Sequence, residues 1–76
     1  MAKLRMMKTG HGDISLAEWT DEDTGSIAVA ERAFTENMRG GLAFRLFPNQ
    51  PGRSEPIKSF DPWAEEILIV PAVQGG

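Results

Sequence analysis

Apolar and polar residues alternate in two short stretches at the start of the chain. In residues 4–9, Leu4 and Met6 would share one side of a strand and Arg5, Met7 and Thr9 the other. Residues 13–18 alternate, with Ile14 and Leu16 on the inward side. Gly-His-Gly at positions 10–12 separates them, which is typical of a tight connection because glycine tolerates positive φ. The pattern therefore predicts a β-hairpin over the first third of the chain.

A helical repeat follows the hairpin. Between positions 26 and 39, apolar residues recur at steps of three and four and would share one helix face: Ile27, Ala30, Phe34 and Met38. Thr24 or Ser26 is predicted to cap the first turn, and Gly-Gly at positions 40–41 to end the helix. Acidic residues 21–23 lack the ligand spacing of a calcium loop and are predicted to favour the helix N-terminus.

The second half of the chain predicts two further strands, a helical turn and a last strand. Residues 42–47 alternate, and their apolar side chains would share one face: Leu42, Phe44 and Leu46. Proline-rich residues 48–56 predict a loop, and residues 57–60 a short strand. Asp-Pro at positions 61–62 predicts one helical turn. The unbroken run Ile-Leu-Ile-Val at positions 67–70 predicts a strand inside a sheet.

This order of elements predicts an α+β fold. A single amphipathic helix must bury its apolar face, and the sheet is the only large partner for it. The last strand fits best beside the first strand and parallel to it, because the helix supplies the crossover. We therefore predict a β-grasp domain over residues 1–71, a mixed sheet with one helix packed across one face, and a flexible tail over residues 72–76. The same elements also permit another small α+β sandwich.

Size, charge and composition narrow the function classes. The chain has 76 residues, of which 41% are apolar, no cysteine and a net charge of −3. One small domain without disulfides or thiolate metal sites is expected. Its Lys and Arg residues form no basic stripe for nucleic acid, and no apolar run suits a membrane span or signal peptide. These features predict a soluble, cytoplasmic protein.

Few side chains suggest catalysis or metal binding. His11 is the single histidine, and without a second ligand or a nucleophile it is predicted to be a turn residue. Trp19 and Trp63 are predicted to lie in the core or at its rim, although a docking role for either stays open. No nucleophile is paired with a base, so we predict a protein that is not an enzyme and binds no metal or cofactor.

The end of the chain resembles a known group of proteins. Glu66 is followed by Ile-Leu-Ile-Val-Pro-Ala-Val-Gln and then by Gly75 and Gly76, which is similar to the ends of ubiquitin-like and sulfur-carrier proteins. Those proteins include the small subunit of molybdopterin synthase and the thiamine sulfur carrier. Residues 60–66, Phe-Asp-Pro-Trp-Ala-Glu-Glu, are similar to bacterial ubiquitin-like proteins encoded beside activating and deconjugating enzymes. Elsewhere the chain matches only in length and order of elements.

The resemblance implies that the C-terminal carboxylate of Gly76 is the working group. An activating enzyme would use ATP to adenylate it, and a thiolate or a sulfur donor would then attack the acyl adenylate. The product would be an amide on a target protein or a terminal thiocarboxylate, so protein modifier and sulfur carrier are both predicted. A conjugating enzyme and a deconjugating protease are further implied partners. Internal acceptors for conjugation would be the lysines, for which ordinary solubilising charge is the alternative: Lys3, Lys8 and Lys58.

The chemistry of a carboxylate explains the residues of the tail. A carboxylate is a poor electrophile, so it needs a leaving group such as AMP and must reach a nucleotide pocket in the partner. Residues 71–76 extend at most about 20 Å, enough to enter such a pocket. The activating enzyme would hold the tail residues: Ala72, Val73, Gln74 and Gly75. Two alternatives remain, an ordinary chain end and a non-conjugated binding module such as a phage tail-assembly component.

Overall fold

A five-stranded mixed sheet carries one helix across one of its faces in the computed structural model, which describes residues 1–8, 10 and 12–72. The elements in chain order are β1 Ala2–Lys8, β2 Gly12–Trp19, α1 Thr24–Asn37, β3 Leu42–Leu46, β4 Ser54–Ile57 and β5 Glu66–Val70. A hydrogen-bonded turn at residues 61–64 precedes β5. The order of strands and helix is the one that the sequence predicts.

The last strand lies at the centre of the sheet. The strand order is β2-β1-β5-β3-β4, with β5 parallel to β1 and antiparallel to β3. Both isoleucines of β5, Ile67 and Ile69, are fully buried on the face that the helix covers, whereas Leu68 and Val70 on the other face are half-buried. The mixed sheet with its single helix is consistent with the predicted β-grasp fold.

The core lies between α1 and the face of the sheet that the helix covers. Its fully buried members come from every layer: Leu4, Trp19, Ala30, Phe34, Ala43, Ala64, Ile67 and Ile69. Trp19 is the largest of them, with 1% of its surface exposed. Its ring lies 4.9 Å from that of Phe60, and its indole N–H donates a hydrogen bond of 3.0 Å to the Pro62 carbonyl. Of the predicted helical face, Ala30 and Phe34 are buried in this core, and Ile27 and Met38 pack against it.

A β-bulge in the first hairpin explains how Trp19 enters the core. Strict alternation from Ile14 would turn Trp19 toward the side opposite the helix. Leu4 pairs with Ala17, however, whereas Arg5 pairs with Ser15, so β2 carries one extra residue at this point. The extra residue reverses which side the following side chains face. The bulge thus brings the largest core side chain beneath the helix.

The helix cap differs from the prediction. Asp23, and neither Thr24 nor Ser26, is the N-cap residue: it has extended φ and ψ, and its carboxylate accepts a hydrogen bond of 3.1 Å from the Ser26 backbone N–H. The Ser26 hydroxyl donates back to the Asp23 carbonyl at 2.8 Å. At the other end α1 stops at Asn37, and Gly40 adopts a φ of 68°, which confirms the predicted stop.

The fourth strand also differs from the prediction. It spans Ser54–Ile57 and not residues 57–60, so it includes part of the predicted proline-rich loop. Pro56 pairs with Phe44 of β3. Proline is tolerated there because β4 is an edge strand, where a missing backbone donor can face solvent.

Candidate functional site

The central strand ends at the base of the predicted tail. After Val70 the chain continues through half-buried Pro71 to exposed Ala72. The remaining predicted tail residues lie outside the described residues: Val73, Gln74, Gly75 and Gly76. The structure thus describes where the tail leaves the sheet and tests neither its predicted flexibility nor the predicted site at its end.

Gly41 lies directly against residues 70–72, which we call the tail base. A Cβ atom placed on Gly41 would lie 2.6 Å from the Val70 carbonyl oxygen, 3.2 Å from the Pro71 Cα and 3.3 Å from the Ala72 nitrogen. The Gly41 backbone N–H donates to the Met38 carbonyl at 2.8 Å, which ties Gly41 to the end of the helix. Gly41 was predicted only to end the helix, yet it also leaves the space through which the tail base passes.

Alanine at position 41 is expected to displace the tail base. Gly41→Ala would bring a methyl group within contact distance of backbone atoms that cannot rotate away, so we expect a loss of stability of about 1–3 kcal/mol. Amide resonances of Val70 and Ala72 should shift along with it. Urea unfolding and two-dimensional NMR measure the two effects.

Gly25→Ala is the matched control for this substitution. Its new methyl group would meet only a side-chain oxygen of Asp23, at 3.3 Å, and alanine favours a helix more than glycine does. This oxygen also accepts the N-cap hydrogen bond from Ser26 and need shift only by a few tenths of an ångström, so we expect a change in stability of less than about 1 kcal/mol. Equal effects of the two variants would contradict a specific role of Gly41 at the tail base.

An apolar surface on the sheet adjoins the tail base. Leu42 pairs with Val70, and Phe44 pairs with Leu68 and with Pro56, so these side chains share the face opposite the helix. We call this surface the open face: Leu42, Phe44, Leu46, Pro56, Leu68 and Val70. None of them belongs to the core cluster, and Leu42 keeps 61% of its surface exposed. The open face therefore offers apolar contact area next to the tail.

Charged residues border the open face on the side of β1. Arg5 pairs with Leu68 across the strands, and its guanidinium donates to Glu66 at 3.3 Å and also to Asp13. Each of these side chains is partly exposed, so each ion pair contributes little to stability. Together they hold the guanidinium beside the apolar side chains and give this border both signs of charge.

The predicted acceptor lysines are spread over the surface. Lys3 and Lys8 lie at opposite ends of β1, Lys58 follows β4, and all three are exposed. Their accessibility is compatible with conjugation without testing it. His11 lies outside the described residues. Both tryptophans were predicted to lie in the core or at its rim. Trp19 lies in the core, whereas Trp63 is no part of the buried core and keeps 73% of its surface exposed.

Comparison of the chain with protein-family models, curated proteins and solved structures finds no match. The resemblance of residues 60–76 to ubiquitin-like and sulfur-carrier proteins therefore stays a prediction. Within residues 1–8, 10 and 12–72, no helix has the length and apolar character that crossing a membrane requires. The same residues contain no group of three or more histidine and carboxylate side chains placed to hold a metal ion.

Proposed function

We propose that this chain is a protein modifier that an ATP-dependent enzyme activates at the Gly76 carboxylate and that is then joined to amines on target proteins. The observation that carries the proposal is the path of β5. This central strand ends at Val70, and half-buried Pro71 and exposed Ala72 follow it outside any strand. Val-Gln-Gly-Gly follows in the sequence.

A rigid base supports insertion of the tail into a partner. β5 is hydrogen-bonded on both sides, to β1 and to β3. Pro71 has no backbone N–H with which to continue the sheet. Beyond Ala72, residues 73–76 extend at most about 14 Å, so a narrow channel can take the tail while the body stays outside. The terminal glycines bring no side chain near the reacting carboxylate.

The proposed activation requires groups that the partner must supply. A Gly76 carboxylate oxygen attacks the α-phosphorus of ATP, and pyrophosphate leaves. A thiolate of the enzyme then attacks the acyl carbon of the adenylate and expels AMP, which gives a thioester. An amine of the target displaces the thiolate and forms the amide. This chain has no cysteine, so the thiolate comes from the enzyme.

The open face is the proposed contact surface for the activating enzyme. It lies beside the tail base, so an enzyme that holds the tail would also meet Leu42 and Val70, which are paired across β3 and β5. Apolar side chains that are exposed next to a reacting group provide binding energy when the partner covers them. Binding energy of this kind, remote from the carboxylate, can position the tail for reaction.

Intact mass spectrometry tests the proposal. The purified chain with free Gly76 is incubated with ATP, magnesium and candidate activating enzymes that are competent on their own substrates. We expect a Gly76 adenylate or a thioester to the enzyme, followed by an amide bond to a target lysine. Exchange of a terminal oxygen for sulfur would instead assign the chain as a sulfur carrier. If neither an adenylate nor a thioester forms with a competent cognate enzyme, the proposal is wrong.

A matched pair of variants tests the contact surface in the same assay. Leu42→Asp places a charge on the open face, and Val29→Asp places one on the helix, where Val29 is 65% exposed. We expect Leu42→Asp to raise the concentration needed for half-maximal adenylation by about tenfold, which is the loss of a moderate interface contact. Val29→Asp should leave it unchanged. Equal effects of the two variants would show that the open face is not the contact surface, while the proposed activation at Gly76 would still stand.

A further inference from the structure

Two glycines face the first two residues that follow β5. The first residue of β3 pairs with the last residue of β5 in an antiparallel ladder. Continuation of the same register places Gly41 opposite Pro71, and it places Gly40 opposite Ala72. The contacts agree with this register. A Cβ on Gly41 would lie 3.2 Å from the Pro71 Cα, and a Cβ on Gly40 would lie 3.7 Å from the Ala72 side chain.

The two glycines belong to a turn that is fixed to the core, and we call residues 38–41 the glycine turn. Gly40 has a φ of 68°, a left-handed conformation that favours glycine. The Gly41 N–H donates to the Met38 carbonyl at 2.8 Å, and the Met38 N–H donates to the Phe34 carbonyl at 2.9 Å. Phe34 is buried in the core, and Met38 packs against it. The glycine turn is therefore held in place by the end of α1.

The glycine turn restricts the path of the tail base. β1 pairs with β5 as far as Ile69, whereas the glycine turn accompanies the chain as far as Ala72. A Cβ on Gly41 would lie 2.6 Å from the Val70 carbonyl oxygen, so the chain can follow this path only because position 41 has no side chain. The ring of Pro71 adds a second restriction, because it fixes φ at about −65°.

We propose that Gly40 and Gly41 are positioning residues for the tail, because the glycine turn fixes the direction in which the chain leaves β5. A partner that holds the domain then receives the tail in one place. The inference rests on the proposed activation at Gly76 and assigns a part in it to residues far from Gly76 in the sequence. Positioning of this kind raises the rate of reaction, because more of the bound molecules have their reacting atoms in place.

Adenylation kinetics separate positioning from binding. Gly41→Ala should lower kcat by about tenfold and change KM by less than about twofold, because the domain binds the enzyme as before while the tail leaves in another direction. Leu42→Asp on the open face should have the opposite signature and raise KM. Gly25→Ala should change neither constant. All variants are compared at a temperature at which circular dichroism shows them to be folded.

Gly40→Ala has a matched control in Gly52→Ala. Both glycines have a positive φ, 68° and 86°, so alanine strains the backbone at both positions. A Cβ on Gly52 would meet no atom within 4 Å, whereas a Cβ on Gly40 would meet Ala72. We therefore expect Gly40→Ala to lower kcat severalfold and Gly52→Ala to leave kcat unchanged.

Two further measurements show whether the loss of kcat comes from the direction of the tail. Without enzyme, the ¹⁵N heteronuclear NOE of the Ala72 amide in the full chain should match that of β5 and should fall in Gly41→Ala. Insertion of Gly-Gly between Ala72 and Val73 should lower kcat by itself, because it removes the fixed direction. Gly41→Ala should then lower kcat no further in the insertion variant.

The outcomes distinguish this inference from the proposed function. Equal kcat values for the wild type and Gly41→Ala, a rise in KM alone, or an unchanged NOE of Ala72 would overturn the inference and leave activation at Gly76 standing. Additive losses from Gly41→Ala and the insertion would also overturn it, because the two changes would then act independently. A wild-type chain that forms no adenylate with a competent cognate enzyme would contradict the proposed function, and this inference with it.

Discussion

Trp19→Ala is expected to remove about 3–5 kcal/mol from the free energy of unfolding. The side chain is 1% exposed, packs against Phe60 and satisfies the Pro62 carbonyl. Alanine would leave a cavity and an unsatisfied acceptor. At about 0.05–0.15 kcal/mol per residue, a chain of 76 residues has only about 4–11 kcal/mol in total. Urea unfolding followed by circular dichroism should therefore show a midpoint at a much lower urea concentration, and at the lower end of this range part of the molecules would already be unfolded without denaturant.

Two further variants separate packing from hydrogen bonding at Trp19. Trp19→Phe keeps most of the ring but loses the indole N–H, so we expect a smaller loss of about 1–3 kcal/mol. Trp63→Ala removes the same type of side chain from an exposed position and should change the stability by less than about 1 kcal/mol. Similar losses for Trp19→Ala and Trp63→Ala would contradict the assignment of Trp19 to the core.

The sequence predicts an element well when its pattern of apolar residues is compatible with only one structure. Ala30 and Phe34 lie in the core because a helix with one apolar face can bury only that face. The run from Ile67 to Val70 is apolar on both sides, which favours a central strand, and β5 is central. Its parallel pairing with β1 follows from the crossover that α1 provides.

Elements that depend on contacts between residues far apart in the chain cannot be predicted from the local sequence pattern. β4 consists of Ser-Glu-Pro-Ile, which has little strand character, and it exists because β3 offers a free edge for pairing. The bulge in β2 is invisible in the alternation, since both Leu16 and Ala17 are apolar and either can face the core. Asp23 caps α1 because the chain turns there, and Thr24 and Ser26 are also among the preferred capping types.

The assignment of faces in β3 shows a further limit of alternation. Leu42, Phe44 and Leu46 share one face, as predicted, but the buried residue of β3 is Ala43 on the other face. The other face carries only Ala43 and Arg45, so the pattern identifies two sides without showing that the helix covers the side with the smaller apolar residue. The larger side chains form the open face, a candidate contact surface that the sequence alone did not reveal.

Some parts of the candidate site are likewise found in the sequence, and others only in the structure. The terminal Gly-Gly is read directly from the sequence, and the structure neither describes nor tests it. The contact of Gly41 with the tail base joins residues about thirty positions apart and is found only in the folded chain.

Deletion of Gly75 and Gly76 is expected to abolish activation while the domain stays folded. The deletion withdraws the terminal carboxylate by about 7 Å and places the side chain of Gln74 beside it. Adenylation demands that the carboxylate oxygen lie within reacting distance of the phosphorus, and a displacement of this size prevents it. Intact mass spectrometry with ATP and the activating enzyme should show no adenylate and no thioester. The unfolding midpoint should be unchanged, because β5 ends at Val70.

Gly75→Ala tests whether activation depends on the narrow cross-section of the tail as well as on its length. The variant keeps the full reach and adds one methyl group next to the terminal residue, so we expect activation to fall by about tenfold or more if a narrow channel surrounds the glycines. Full activation of this variant together with none of the deletion would show that reach alone matters. A deletion that destabilises the domain as much as a core substitution would mean that the last residues pack against the body. In that case the carboxylate would not be available to a partner, and a non-conjugated binding module would be the better account.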